Sequence, residues 1–299
     1  AAPATLPEAS TIIGLGILGD STQDEYQGTH YRGGDFYKTT MNWVELLARK
    51  RDLPLGAWAT FDEPRREGFT FNWARSGATS TEMVEKGQKE GVVAQCNARE
   101  VSHVLLQIGI NDVHFSGLGA MLYENTVSEE DLQKALEAIS DNIVNTAIAV
   151  RDTGVCHILV STTQDYTQLP IVPEILTLYT SPDGIARTHA AFTELNHLIQ
   201  AKADAAGIAV FDFNPPMLEM IQRYLTEPNT LVIGGARVDL IHRGNDPHFG
   251  LLDDEYIHPG TVISGLFANV YITELNRRFG TNIALLSDEE IVAAAGIAQ

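Results

Sequence analysis

Five short apolar runs alternate with amphipathic stretches along this chain, and that alternation limits the fold more than any other feature. The runs cover residues 12–18, 69–74, 101–108, 157–161 and 208–212. Between and after them, residues 41–50, 80–96, 128–151, 184–206 and 217–225, and a long stretch that ends near residue 278, carry apolar residues at helical spacing. Ser128-Glu129-Glu130-Asp131 has the form of a capping box. Strands that alternate with helices build a mainly parallel sheet covered by helices on both faces, with right-handed crossovers. The expected class is therefore α/β. No repeat, low-complexity segment or linker divides the chain, so one domain is expected over 1–299. Residues 1–10 would be an N-terminal extension, and 280–299 would hold a short final helix. Residues 230–252, with Gly234, Gly235, Gly244 and Pro247, read as irregular.

Charge removes some functions. With 39 acids against 20 bases the formal net charge is −19, and such a chain repels phosphate backbones, so no nucleic-acid partner is expected. No apolar run reaches the roughly 20 residues of a membrane span. The first residues, Ala1-Ala2-Pro3-Ala4-Thr5-Leu6-Pro7, resemble the end left by a signal peptidase, so a secreted or periplasmic location is expected. Cys156 opens one apolar run and Cys96 lies just before another, which leaves a bridge open; two buried free thiols are the first reading, and two are too few for a metal set.

In open α/β sheets, ligands sit beyond the carboxyl ends of the strands. The first run ends in Gly19-Asp20-Ser21, which places a hydroxyl on a turn at that edge. Ser21 reads as a nucleophile, and Asp20 as a support for its turn. The second run ends near Ser76-Gly77 and the third in Gly109-Ile110-Asn111-Asp112. The backbone N–H groups of Ser21 and Gly77 and the Asn111 amide supply three donors for one developing oxyanion. His258 can take the Ser21 proton if the last loop folds over this edge.

These blocks, Gly19-Asp20-Ser21, Asn72-Trp73-Ala74-Arg75-Ser76-Gly77, Gly109-Ile110-Asn111-Asp112 and Tyr256-Ile257-His258-Pro259, resemble in order the four blocks of the SGNH (GDSL) hydrolase superfamily. The resemblance implies a flavodoxin-like three-layer α/β/α sandwich with five strands ordered 2-1-3-4-5. It also implies esterase or lipase chemistry with no metal and no organic cofactor. Ser21 would be the nucleophile and His258 the base. Ser21, Gly77 and Asn111 would form the oxyanion hole. The family places an Asp three residues before the His. Here Glu255 holds that position, and Asp254 is the alternative acid.

Gly14-x-Gly16-x-x-Gly19 matches a dinucleotide fingerprint by letter, but the glycines lie inside a strand run and read as strand packing. His242, Asp246 and His248 lack metal-ligand spacing. His103 and His157 fall at strand starts, on the edge away from the site, and His114 is a candidate substrate contact. Two apolar loops flank the expected site. One holds Phe115, Leu118, Met121 and Leu122. The other, at 163–183, holds Tyr166, Leu169, Ile171, Val172, Ile175, Leu176, Leu178 and Tyr179. They suit an acyl pocket, a lid or a contact in a homo-oligomer. The substrate expected first is a short-to-medium acyl ester, and the alternative is an O-acetylated carbohydrate. A binding module without catalysis is the remaining reading.

Overall fold

The computed structural model describes residues 8–115, 117–169, 180–227, 229–254 and 258–297. In chain order the strands are β1 (Leu15–Leu18), β2 (Trp58–Thr60), β3 (Glu67–Phe69), β4 (His103–Leu106), β5 (His157–Ser161), β6 (Val210–Phe211), β7 (Leu225–Glu227), β8 (Thr230–Ile233), β9 (Ala236–Arg243) and β10 (Phe249–Leu251). The helices are α1 (Trp43–Arg51), α2 (Ser80–Glu85), α3 (Gln88–Asn97), α4 (Gly117–Glu124), α5 (Glu129–Arg151), α6 (Pro182–Ala206), α7 (Asn214–Tyr224), α8 (Thr261–Phe279) and α9 (Asp288–Ala294).

The central sheet is parallel, in the order β1-β4-β5-β6. Every residue of β1 and β4 is buried, as strands covered on both faces require. Two glycines let β1 sit close to its neighbours. A Cβ on Gly14 would lie 2.0 Å from the Glu100 carbonyl oxygen, and one on Gly16 would lie 2.8 Å from Val92. Strand packing therefore accounts for both.

The run at 69–74 departs from expectation. Its start pairs antiparallel with β2, where Trp58 and Phe69 meet edge to face, and only Asn72 continues as a parallel bridge to Ile17. Phe71 and Trp73 still exchange backbone hydrogen bonds with Ile17, so the segment lies beside β1. The stretch at 80–96 is two helices, because Gly87 adopts φ +89° between them. The region read as irregular is a second four-stranded sheet, in the order β10-β9-β8-β7.

Two helix groups pack on the central sheet. In one, α5 runs against α6, with Leu136, Ile139, Ile143, Ala147 and Val150 buried at helical spacing. Ser128 caps α5 by accepting from the Asp131 N–H. In the other, α8 packs against α1, α7 and α9 and is buried almost all round over its first three turns. There Trp43 stacks on Tyr271 with ring centroids 3.9 Å apart, and Phe211 of β6 meets the edge of the same ring. One hydrophobic core extends from Leu15 to Ile297.

The cysteines are not free. Cys96 at the end of α3 and Cys156 just before β5 form a disulfide, with Cα atoms 5.8 Å apart. Sixty residues separate them, and no local pattern announced that the folded chain would bring them together.

Candidate active site

The turn that follows β1 is fixed from several sides. The Asp20 carboxylate accepts from the Thr22 N–H and hydroxyl, both at 3.1 Å. Its carbonyl accepts from Gln23 N–H and Asp24 N–H. Burial pushes the Asp20 carboxyl up to about 7, against the pull of these donors. Gln23 donates to Gln107, which donates in turn to Ser161 and the Thr162 carbonyl, so the turn is tied to the ends of β4 and β5. Asp20 thus supports the turn, as its position suggested. Ser21 is 8% exposed, and among the described residues neither its hydroxyl nor its N–H makes a hydrogen bond.

The segment at 72–78 is bonded directly onto that turn. Asn72 donates to the Gln23 carbonyl, the Arg75 N–H donates to the Gly19 carbonyl, and the Ser76 N–H donates to the Asp24 carboxylate at 2.7 Å. Gly77 has φ +81°, and a Cβ placed there would meet nothing within 4 Å. Its N–H makes no hydrogen bond among the described residues. Asn111 begins a π-helical turn, Asn111–Phe115, a local irregularity often found at functional sites. One hydrogen of its buried amide goes to the Ala78 carbonyl at 2.8 Å, which leaves a second N–H on the same nitrogen. Asp112 accepts from the N–H and hydroxyl of Ser80 and so docks this turn on the start of α2.

The last block arrives from the second sheet. Leu252 N–H donates to the His258 carbonyl, Gly260 N–H donates to the Gly250 carbonyl, and Leu251 bridges Pro259. Within this staple, Asp254 Oδ2 lies 2.6 Å from His258 Nδ1. The favoured acid, Glu255, lies outside the described residues. His258 is 3% exposed, and burial holds its imidazole below the usual range. The Asp254 bond opposes this shift, and the Arg32 charge adds to it. No hydrogen bond joins Ser21 Oγ to His258 among the described residues, which is common before substrate tightens a site.

Arg32 was not singled out in the sequence. Its Nη1 donates to Asp254 Oδ2 at 2.6 Å, and its Nη2 donates to Ser76 Oγ at 2.9 Å. It thereby joins the last block to the second. Its partners lie 222 and 44 residues away, and no spacing rule would have found them.

His114 Nδ1 meets the hydroxyls of Tyr123 and Tyr166, and burial depresses its pKa to about 3. His242 pairs with Asp239 and His248 with Asp246 on the second sheet, both at the surface. No cluster able to hold a metal occurs among the described residues. His103 and His157 lie side by side at the strand starts, their rings tilted by 34° with centroids 4.9 Å apart. Of the apolar loops, Tyr166 and Leu169 are buried. Ile171, Val172, Ile175, Leu176, Leu178 and Tyr179 lie outside the described residues. No described helix is long and apolar enough to cross a membrane.

Beside Gly77 lies a groove of ≈ 210 Å³, lined by Glu63, Arg66, Arg75, Ser76, Glu82, Lys86 and Gln88 among others. Its walls are mostly polar and charged.

Residues 15–254 match the family model of the GDSL-like lipase/acylhydrolases. Among solved structures, an acetyl xylan esterase variant from Geobacillus stearothermophilus is 16% identical, with a TM-score of 0.46, covering 91% of this chain and 96% of that one. A second variant, described as an acetyl-xylooligosaccharide esterase, is 14% identical with a TM-score of 0.50, covering 94% and 99%. An α/β hydrolase enzyme from the metagenome of Lake Arreo, Spain, is 16% identical with a TM-score of 0.44, covering 99% and 98%. The second, at 14% identity and a TM-score of 0.50, is a likeness of fold alone. No curated protein matches the chain.

Proposed function

The chain belongs to the GDSL-like lipase/acylhydrolase family and is a carboxylic ester hydrolase, and from that premise we propose that it works through an acyl-enzyme on Ser21. Ser21 Oγ attacks the ester carbonyl carbon while His258 Nε2 accepts the hydroxyl proton. The carbonyl oxygen, now an anion, rests against the N–H groups of Ser21 and Gly77 and the second N–H of the Asn111 amide. Collapse expels the alcohol, which takes the proton from His258. Water then attacks the acyl carbon, gives its proton to His258, and the released Ser21 recovers it.

One observation carries this reading. The four blocks form a single hydrogen-bonded assembly, while the Ser21 hydroxyl and the Ser21 and Gly77 N–H groups stay out of that bonding. Asp254 takes the role of orienting acid, supported by its 2.6 Å contact with His258 Nδ1. That contact fixes the Nδ1–H tautomer and leaves Nε2 to act as the base. We read the segment beside Ile17 as strand 2 of the 2-1-3-4-5 order, reduced to a single bridge.

The substrate carries a short-to-medium acyl group. The charged groove beside Gly77 favours a polar leaving alcohol, and so the carbohydrate O-deacetylase reading. The disulfide is consistent with an oxidising compartment outside the cytosol. The test is a fluorophosphonate adduct on Ser21, read by intact mass, together with rates on nitrophenyl esters of rising chain length and on acetylated sugars. Adduct and turnover should both vanish in Ser21→Ala. An adduct or full turnover that survives that substitution rejects Ser21 as nucleophile.

A further inference from the structure

Arg32 sits where the three moving parts of the proposed reaction meet. Its side chain is 11% exposed. Its backbone N–H bonds to the Tyr26 carbonyl, and its guanidinium lies 5.5 Å from the centre of the Tyr26 ring. That ring meets His258 edge to face at 6.1 Å. The stretch holding Tyr26 and Arg32 is itself anchored by buried carboxylates. Glu45 accepts from the N–H groups of Tyr26 and Gln27, and Glu25 accepts from the Phe69 N–H. The guanidinium is therefore placed before any substrate arrives.

A planar fork with five donors and no acceptor suits two separate oxygen partners. Here one arm holds Asp254 Oδ2 and the other holds Ser76 Oγ, the residue before Gly77. The same Oδ2 receives His258 Nδ1, and Arg32 Nη1 lies 3.1 Å from that nitrogen. Two donors thus converge on one carboxylate oxygen. Resting on the reading of Ser21 and His258 given above, we infer that Arg32 is a positioning residue that locks Asp254 and the Gly77 turn in register and keeps His258 neutral between turnovers.

The electrostatic consequence has a definite sign. A cation beside Nδ1 disfavours the imidazolium, and its claim on Oδ2 weakens the stabilisation that Asp254 gives to that ion. Removing the charge therefore raises the pKa of His258. A histidine protonated in the free enzyme cannot accept the serine proton, so the acid limb of kcat/KM moves to higher pH. Among the described residues, the titratable and charged groups that face His258 include Asp254, Arg32, His30 and Tyr26, with Asp24 bonded to His30 at 3.3 Å. The comparison is repeated in a His30→Asn background, which removes the second imidazole facing His258.

The experiment measures kcat/KM for p-nitrophenyl acetate from pH 5 to 9 in wild type, Arg32→Met, Arg32→Lys and Ser76→Ala. In Arg32→Met the acid limb should rise by about one unit, the scale of a single close charge, and the plateau should fall on the order of tenfold. Lysine restores the charge without the fork, so its limb returns toward wild type while its plateau stays low. Ser76→Ala lowers the plateau severalfold and leaves the limb in place. Should Arg32→Met fail to fold by circular dichroism, wild-type plateaus in both Arg32→Lys and Ser76→Ala overturn the inference. An active wild type whose Arg32→Met variant keeps both limb and plateau overturns this inference alone. A wild type that neither hydrolyses esters nor takes a fluorophosphonate on Ser21 overturns it together with the reading beneath it.

Discussion

Replacing Asp254 by asparagine tests the proposed acid most directly. The carboxylate accepts from a nearly buried imidazole at 2.6 Å, a charge-assisted bond. Hydrogen bonds to charged groups contribute roughly 1.5–3 kcal/mol, or about 10- to 150-fold in rate if the bond strengthens only as the imidazolium forms. Asparagine adds a second fault. If its amide turns an N–H toward Nδ1, the proton is held on Nε2 and the base faces Ser21 the wrong way round. In a serine triad that error costs about 10⁴ in kcat. The expected loss in kcat/KM for Asp254→Asn therefore lies on the order of 10² to 10⁴. The acid limb should also move down, because Asp254 raises the His258 pKa and its removal leaves burial and Arg32 to lower it. The assay is hydrolysis of p-nitrophenyl acetate across pH, with thermal melts to show that each variant is folded. Glu255→Gln, made in parallel, should stay near wild type. An active Asp254→Asn beside a dead Glu255→Gln would refute the assignment.

Asn111→Ala removes one oxyanion donor and should lower kcat on the order of 10²–10³-fold with little change in melting temperature. An unchanged kcat would take Asn111 out of the oxyanion hole. Replacing both Cys96 and Cys156 by serine opens a bridge across 60 residues and should cost up to roughly 4 kcal/mol of stability, read from the urea midpoint. An unmoved midpoint would speak against the bridge. Burial and the neighbouring His157 push His103 down to about 4, so the fold holds it neutral while the unfolded chain protonates it near the ordinary histidine value of about 6.5. Its contribution to stability is complete above that pH and is lost as pH falls toward about 4. The drop in melting temperature between pH 7 and 4.5 should thus be smaller in His103→Asn than in wild type, and an equal drop would reject the argument.

Much of the proposed site is legible in the chain because its parts follow apolar runs. Ser21, Gly77 and Asn111 each come just after an apolar run, and a parallel sheet brings such positions to one edge. Long helices with clear caps, such as α5 and α6, were legible for the same reason: one face, one period, one start signal. The second sheet was missed although β9 alternates, with Ala236, Val238 and Leu240 buried. The edge strands of that sheet, β7 and β10, have only three residues each, too few to establish a period. The second run, 69–74, is less regular than its alternation suggests because its aromatic start pairs with Trp58 of β2, which leaves a single bridge to β1. Gly87 was a local signal and could have divided the helix at 80–96. Arg32 and the disulfide had no such signal, since both depend on contacts that exist only after the chain has closed on itself.

The staple that carries Asp254 and His258 is sewn to the small second sheet, while Ser21 is sewn to the large one. The proposed acid and base therefore travel together, as passengers of one minor structural unit, and the proposed nucleophile travels with another. Stress that loosens the small sheet would separate the histidine from the serine while most of the core still stood. Activity is therefore expected to fall on warming before the circular-dichroism signal of the core does. Engineering for endurance would then have little to gain in the central layers and most to gain along the seam between Gly250 and Gly260.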